Sequence, residues 1–183
     1  MGGSLAEHEL DTLLDRCKPY LLYKPTAFIE TGTYKGDTAK VAARLFARVY
    51  TIEINKDLWK DVQGCFLTFP NIQSFHGDSV KTLPEIMAKE HGPYMWFLDA
   101  HQSGNDTSNN GKWVPLFDEM DAIFRVPVSG IVVVDDVRLF SKHWDWEGIS
   151  VKSIVNRLKT YGLSILKHFI HNDRLVVVVY KRT

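Results

Sequence analysis

Hydrophobic positions along the chain change their period repeatedly, and each change marks an element. In residues 5–18, Leu10, Leu13, Leu14 and Cys17 recur at helical spacing, and Pro19 and Pro25 bracket the loop that follows. Ala27-Phe28-Ile29-Glu30 is a short apolar run that predicts a strand. It passes through Gly32 and Gly36 into a helix with Val41, Ala42, Leu45 and Phe46 on its buried face, capped by Asp37 or Thr38. Residues 48–54 alternate and are rich in β-branched side chains, which predicts a second strand, with a helix start at Asn55-Lys56-Asp57. A third strand is expected within 71–79, and Pro84 is expected early in the next helix, where a missing N–H is tolerated. Residues 94–99 are apolar throughout, as in a strand covered on both faces.

A polar, Gly/Asn-rich stretch at 102–114 reads as a lid loop, followed by a helix over 115–124. A fifth strand at 131–134 runs into Asp135-Asp136. A helix then carries Val151, Ile154, Val155 and Leu158, and strands at 163–170 and 175–180 flank the turn His171-Asn172-Asp173. Strand–helix alternation that closes in a hairpin predicts one α/β domain, a Rossmann-like doubly wound sheet, mostly parallel with an antiparallel C-terminal pair. At 183 residues a single domain with a sizeable core is expected.

Composition narrows the partners. The 22 basic and 22 acidic residues cancel, so charge offers no argument for nucleic acid or an anionic membrane as partner. No apolar run approaches the roughly 20 residues that span a bilayer. Met1-Gly2-Gly3-Ser4 has no signal-peptide character, and Ala6 breaks the myristoylation pattern. Cys17 and Cys65 fit no metal spacing and read as reduced thiols, in keeping with a cytoplasmic protein.

The chemistry gathers at the strand ends. In Glu30-Thr31-Gly32-Thr33-Tyr34-Lys35-Gly36-Asp37-Thr38 a strand, a tight turn and a helix N-terminus adjoin, the geometry with which open α/β sheets hold nucleotide-like ligands. Tyr34 stands where a dinucleotide fingerprint needs its second glycine, and no Ser or Thr follows Lys35 as a P-loop requires. An acid at the end of the strand favours a ligand bearing an ammonium, as S-adenosylmethionine does. Five successive strands end in acids: Glu30, Glu53, Asp78, Asp99, and Asp135 with Asp136. Glu53 sits where an acid takes two ribose hydroxyls, and Asp78 could accept from an adenine amino group. Either acid could equally be a helix cap. Asp99, Asp135 and Asp136 would repel one another unless a cation or a proton intervenes, and hard oxygen ligands favour Mg²⁺ or Ca²⁺.

The order Glu30-x-Gly32-x-x-x-Gly36, Glu53, Gly77-Asp78-Ser79, Phe97-Leu98-Asp99 and Val134-Asp135-Asp136 resembles the class I S-adenosylmethionine-dependent methyltransferases, over nearly all of the chain from about Pro25. Trp96-Phe97-Leu98-Asp99-Ala100-His101, the Ser103-Gly104 loop, Pro115-Leu116 and Glu119 are similar to small bacterial methyltransferases of polysaccharide or sugar modification. The acids are also similar to those of catechol and macrocin-type O-methyltransferases. The resemblance implies strand order 3-2-1-4-5-7-6. It also implies donor contacts from Glu30, Gly32, Thr33, Tyr34, Gly36, Thr38, Glu53, Ile54, Gly77, Asp78, Ser79 and Asp99, and a divalent cation, Mg²⁺ or another, on Asp99, Asp135 and Asp136. Catechol-type enzymes carry a Lys shortly after the strand-four Asp; here His101 and Gln102 follow, so a base role passes to His101 by location alone.

The expected reaction is methyl transfer to a hydroxyl of a sugar or other small acceptor, with Asp99 and His101 catalytic. His143, Trp144 and Trp146 are candidate walls of the acceptor pocket, and a homodimer in which a neighbouring subunit completes that pocket is an open expectation. The alternatives are an NAD(P)-binding Rossmann oxidoreductase and a non-catalytic S-adenosylmethionine-binding protein.

Overall fold

The apolar runs become the middle of one seven-stranded sheet. The computed structural model describes residues 4–99 and 114–181. In chain order these form α1 (Glu7–Cys17), β1 (Ala27–Thr31), α2 (Asp37–Leu45), β2 (Arg48–Glu53), α3 (Lys56–Phe66), β3 (Ile72–His76), α4 (Ser79–Lys89) and β4 (Tyr94–Leu98). There follow α5 (Leu116–Ile123), β5 (Gly130–Val134), α6 (Val151–Thr160), β6 (Ser164–His171) and β7 (Arg174–Tyr180). The strand order is β3-β2-β1-β4-β5-β7-β6, as the resemblance implies. Strands β3 to β5 pair in parallel, and β7 is antiparallel to both β5 and β6.

Successive side chains of a strand face opposite ways, so each central strand feeds two cores. Trp96 and Leu98 of β4, Val132 and Val134 of β5 and Val177 of β7 pack with α4, α5 and α6. Met95 and Phe97, Ile131 and Val133, and Val176 and Val178 pack with α1, α2 and α3 on the other face. This explains why β4, β5 and the Leu175–Val179 stretch of β7 are unbroken apolar runs: every position in them is buried. Gly130 opens β5 because a Cβ there would lie 2.1 Å from the Tyr94 carbonyl oxygen.

Several local expectations are corrected. Gly36, not Asp37 or Thr38, is the N-cap of α2, in a left-handed conformation at φ 72°. Thr38 instead turns inward, and its hydroxyl accepts a hydrogen bond from the Leu5 N–H at 3.1 Å. Val41 and Leu45 are only half-buried, while Ala39 and Ala42 form the covered face. Pro84 lies beyond the first turn of α4, in its interior. There it forgoes a backbone bond as well as the free N-terminal position. The short 3-10 turns Val137–Leu139 and Trp144–Trp146 had no periodic signal, being too brief to show one. The proposed lid lies, except for Val114, outside the described residues. No helix among the described residues is long and apolar enough to cross a membrane.

Trp96 is the largest fully buried side chain, stacked on Tyr94 at 4.9 Å and edge-on to Phe124 at 5.3 Å, and its indole N–H has no partner among the described residues. Trp96→Ala should therefore cost about 3–5 kcal/mol. Trp96→Phe should cost much less, because it keeps a ring and removes an unbonded N–H. Urea denaturation of the two variants measures both; equal losses would mean that packing does not dominate at this position.

Candidate functional site

Parallel pairing in near-equal register sets the carboxyl ends of β2, β1, β4 and β5 side by side. Thr31 lies opposite both Ile52 and Leu98, and Leu98 lies opposite Val134. The acids that close these strands therefore share one edge, where open α/β sheets bind ligands.

The turn after β1 is built on positive φ angles at Gly32 (86°), Tyr34 (47°) and Gly36 (72°). Glycine is needed at Gly36 for space as well, since a Cβ there would stand 2.7 Å from the Phe66 ring. The turn folds against β2: Gly32 N–H donates to the Ile52 carbonyl at 2.9 Å, and Tyr34 N–H donates to Glu53 Oε2 at 2.9 Å. The other oxygen of Glu53 accepts from Asn55 N–H at 2.9 Å. Two backbone donors thus aim a buried carboxylate across the turn. Thr33 and Thr51 hydroxyls meet at 2.6 Å, and Thr51 donates to Glu30 Oε2 at 2.7 Å. Glu30 lies buried beneath the turn. Burial foremost, with the charges of Asp99 and Glu53 adding, pushes its carboxyl up to about 8 against the hydroxyl bonds of Thr51 and Thr38.

Farther along the edge, Gly77 N–H donates to the Glu53 carbonyl at 2.9 Å, next to half-buried Ile54. Asp78 is the N-cap of α4, accepting from Val80 N–H at 3.0 Å. Ser79 turns the other way and donates to Glu119 Oε1 at 2.5 Å. Glu119 also accepts from the Thr31 hydroxyl at 3.3 Å, and that hydroxyl accepts from Asp99 N–H at 3.3 Å. One buried acid on α5 therefore ties together the ends of β1 and β4 and the start of α4. Burial, with the charges of Asp99 and Asp78, pushes Glu119 up to about 8 despite the two hydroxyl bonds. No role was assigned to it from its own residues, although a signal existed. Glu119 shares the apolar helix face of Leu116 and Ile123, where a charged residue demands a partner.

On the β5 side, Asp135 and Asp136 are both buried, and Asp136 adopts the left-handed region at φ 63°. The three acids whose oxygens meet among the described residues are Asp135, Asp136 and Asp173, all within 4.8 Å of one another. Asp173 comes from the β6–β7 turn. Asp99 sits at the end of the neighbouring strand; burial foremost, and then the Asp99 charge, pushes Asp135 up to about 7. Arg174 Nε lies 3.4 Å from Asp135 Oδ1, and Arg138 bridges Asp136 and Asp173. Asp135 Oδ2 is buried and accepts no hydrogen bond from a described residue. Three carboxylates with Asp99 beside them outnumber two guanidinium groups, and a buried oxygen is left over. This donor set fits a hard divalent cation.

Between the ends of β4 and β5 and α5 lies a crevice lined by Leu98, Asp99, Leu116, Glu119, Val134 and Trp146. Trp146 is buried and stacked on Phe140 at 5.6 Å, whereas Trp144 and His143 are exposed. Of the three expected pocket walls, only Trp146 faces this crevice. His101 lies outside the described residues.

The raised Glu119 carboxyl has a stability signature. The folded state keeps a proton that the unfolded chain releases near 4.5, so stability falls as pH rises from there towards about 8. Glu119→Gln mimics the protonated form without titrating. Its melting temperature should gain on the wild type between about pH 5 and pH 9, with Glu30 leaving part of the slope in both proteins. Parallel profiles would mean that Glu119 is ionised in the fold.

No family model and no curated protein matches this sequence. Solved structures do. A Staphylococcus aureus protein assigned as a caffeoyl-CoA O-methyltransferase is 14% identical, with TM-score 0.66 over 98% of this chain and 86% of that one. The Bacillus cereus O-methyltransferase in complex with SAH is 14% identical, with TM-score 0.61 over 97% and 83%. The O-methyltransferase TomG of Streptomyces achromogenes, in complex with SAM, is 13% identical, with TM-score 0.59 over 100% and 92%. Together with the strand order, these likenesses give the chain the Rossmann-like fold of the class I S-adenosylmethionine-dependent methyltransferases.

Proposed function

We propose that the protein is an S-adenosylmethionine-dependent O-methyltransferase acting on a sugar or other small hydroxylated acceptor with the help of a divalent cation. The observation that carries this reading is Glu53, buried and held by two backbone N–H groups opposite the Gly32–Gly36 turn. A carboxylate fixed in this way is pre-oriented to accept from a ribose diol. Tyr34 projects where a pyrophosphate would need a glycine, which weighs against the dinucleotide alternative. Support also comes from the SAH and SAM complexes of the B. cereus enzyme and TomG, which share the fold.

In this reading Gly32, Thr33, Gly36 and Thr38 shape the donor site, Ile54 borders its ribose end, and Gly77, Asp78 and Ser79 border the adenine. Asp99, Asp135 and Asp136 hold the cation. When bound, the donor supplies an electrophilic methyl on sulfur and the cation lowers the pKa of an acceptor hydroxyl. The protein's part is to align the two reactants and to take up the proton, which His101 is placed by the sequence to do. Trp146 offers a flat apolar wall to a ring. Unbridged Cys17 and Cys65 support a cytoplasmic setting, and a homodimer would close the acceptor side.

Calorimetry with S-adenosylhomocysteine tests the donor site. Glu53→Ala should lose roughly 2–4 kcal/mol of binding, through the loss of two hydrogen bonds to a charged acceptor. Gly32→Val should bind negligibly, because a branched side chain strains the φ 86° turn at the donor site. Unchanged affinity in a folded Gly32→Val protein would sink the donor assignment. Release of S-adenosylhomocysteine with a panel of saccharides and catechols separates an enzyme from a binding protein. With an acceptor in hand, turnover should fall as pH drops through about 6.5, and His101→Gln should abolish that limb with donor affinity intact. An unaltered limb would return His101 to a structural role.

A further inference from the structure

We propose that Asp173, on the turn between β6 and β7, is a ligand of the divalent cation together with Asp135 and Asp136, and that Arg138 competes with the cation for the same oxygens. The inference rests on the cation part of the proposed function and adds to that cation a protein ligand from the C-terminal hairpin.

The spacing comes first. One oxygen from each acid lies within 4.8 Å of the other two. Hard cations bind oxygens at about 2.0–2.6 Å, so two ligands of one ion stand at most roughly twice that apart. Three oxygens this close can share a centre without backbone movement.

The second observation is independent of the clustering. Asp135 is 1% exposed, and its two oxygens are treated unequally. Oδ1 accepts from Asp136 N–H at 2.9 Å and faces Arg174 Nε at 3.4 Å. Oδ2 is buried without a hydrogen bond from any described residue. Leaving a carboxylate oxygen buried and unbonded is costly, and a metal ion relieves that cost where no N–H can reach.

Asp173 is held in place by backbone groups, so its position does not depend on the Arg138 side chain. Asn172 and Asp173 both take positive φ, at 45° and 66°, which makes a tight two-residue turn. The Asp173 carbonyl accepts from Val137 N–H at 2.9 Å, and its carboxylate accepts from Arg138 N–H at 2.7 Å. The hairpin is therefore pinned to the segment that immediately follows Asp136.

Arg138 bridges Asp136 Oδ1 and Asp173 Oδ2 through one nitrogen, Nη1. That nitrogen stands between two of the three acids, where a cation bound to both would stand. The Arg138 side chain is 38% exposed and can turn out into water; Arg174, at 6%, is locked between Asp135 and Glu9 of α1. The two arginines thus differ in role. Arg174 is a permanent counter-charge on one side of Asp135, and Arg138 is an exchangeable one on the other side of the cluster.

The test uses Mn²⁺ as probe, titrated into the purified protein without donor or acceptor and followed by electron paramagnetic resonance and by thermal melting. The wild type should bind Mn²⁺ and melt higher with it. Asp173→Asn should weaken binding at least about tenfold, since even outer-sphere partners are worth that much. Arg138→Gln should tighten binding severalfold by removing the competitor. Exposed Asp57→Asn on α3 should titrate like the wild type. An Asp173→Asn protein that binds as the wild type does, an Arg138→Gln protein that binds no tighter, or the absence of Mn²⁺ binding in all variants would overturn the inference. Should Asp173→Asn fail to fold, the Arg138→Gln titration decides alone. S-adenosylhomocysteine calorimetry on the same metal-free samples keeps the readings apart: donor binding without Mn²⁺ binding sinks only this inference, and the reverse sinks the methyltransferase reading.

Discussion

The repulsion among carboxylates gathered at one edge of the sheet is the constraint to which the rest of the molecule answers. Glu30, Glu53, Glu119, Asp99, Asp135 and Asp136 all reach this edge, and all but Asp99 are buried. A cluster of that kind is stable only if each charge is matched by donors, by a cation or by a proton. The protein uses all three. Glu53 is held by two backbone N–H groups, Asp135 and Asp136 face arginines, and Glu30 and Glu119 are pushed up to about 8.

These solutions explain how the surrounding elements are arranged. The glycine turn must curl back so that Tyr34 N–H meets Glu53, which requires the positive φ at Gly32 and Gly36. The N-terminal helix docks where Glu9 can join Arg174, and Asn172 of the hairpin donates to the same Glu9 at 2.8 Å. Helix α1 and the C-terminal hairpin thus meet beside the acid pair after β5. Around the polar edge two apolar layers pack on the faces of the sheet.

Much of this could be read locally. Strand and helix periods, the turn chemistry of Gly32 to Gly36 and the acids closing successive strands are properties of neighbouring residues, so a linear reading recovers them. The strand order required more, because no local pattern says that β1 lies between β2 and β4; it followed from the resemblance carried by the order of the acids. Local reading left both options open where two local explanations compete. Asp78 is a helix cap in the fold, and Asp37 is not, though both are acids at helix starts.

The partners of the acids were decided by the tertiary structure alone. Thr31 and Glu119 are 88 residues apart, and Arg174 and Glu9 are 165 apart. Asp173 looked like an ordinary hairpin residue until β7 inserted between β5 and β6 and carried the turn onto Asp136. The amino-acid sequence by itself determined which elements form and which residues close them, because backbone periodicity and turn preference act over a few residues. Which acid lies buried beside which arginine, and which hydroxyl turns inward to a carboxyl, depends on the sheet order. Those contacts exist only once strands distant in the chain lie side by side.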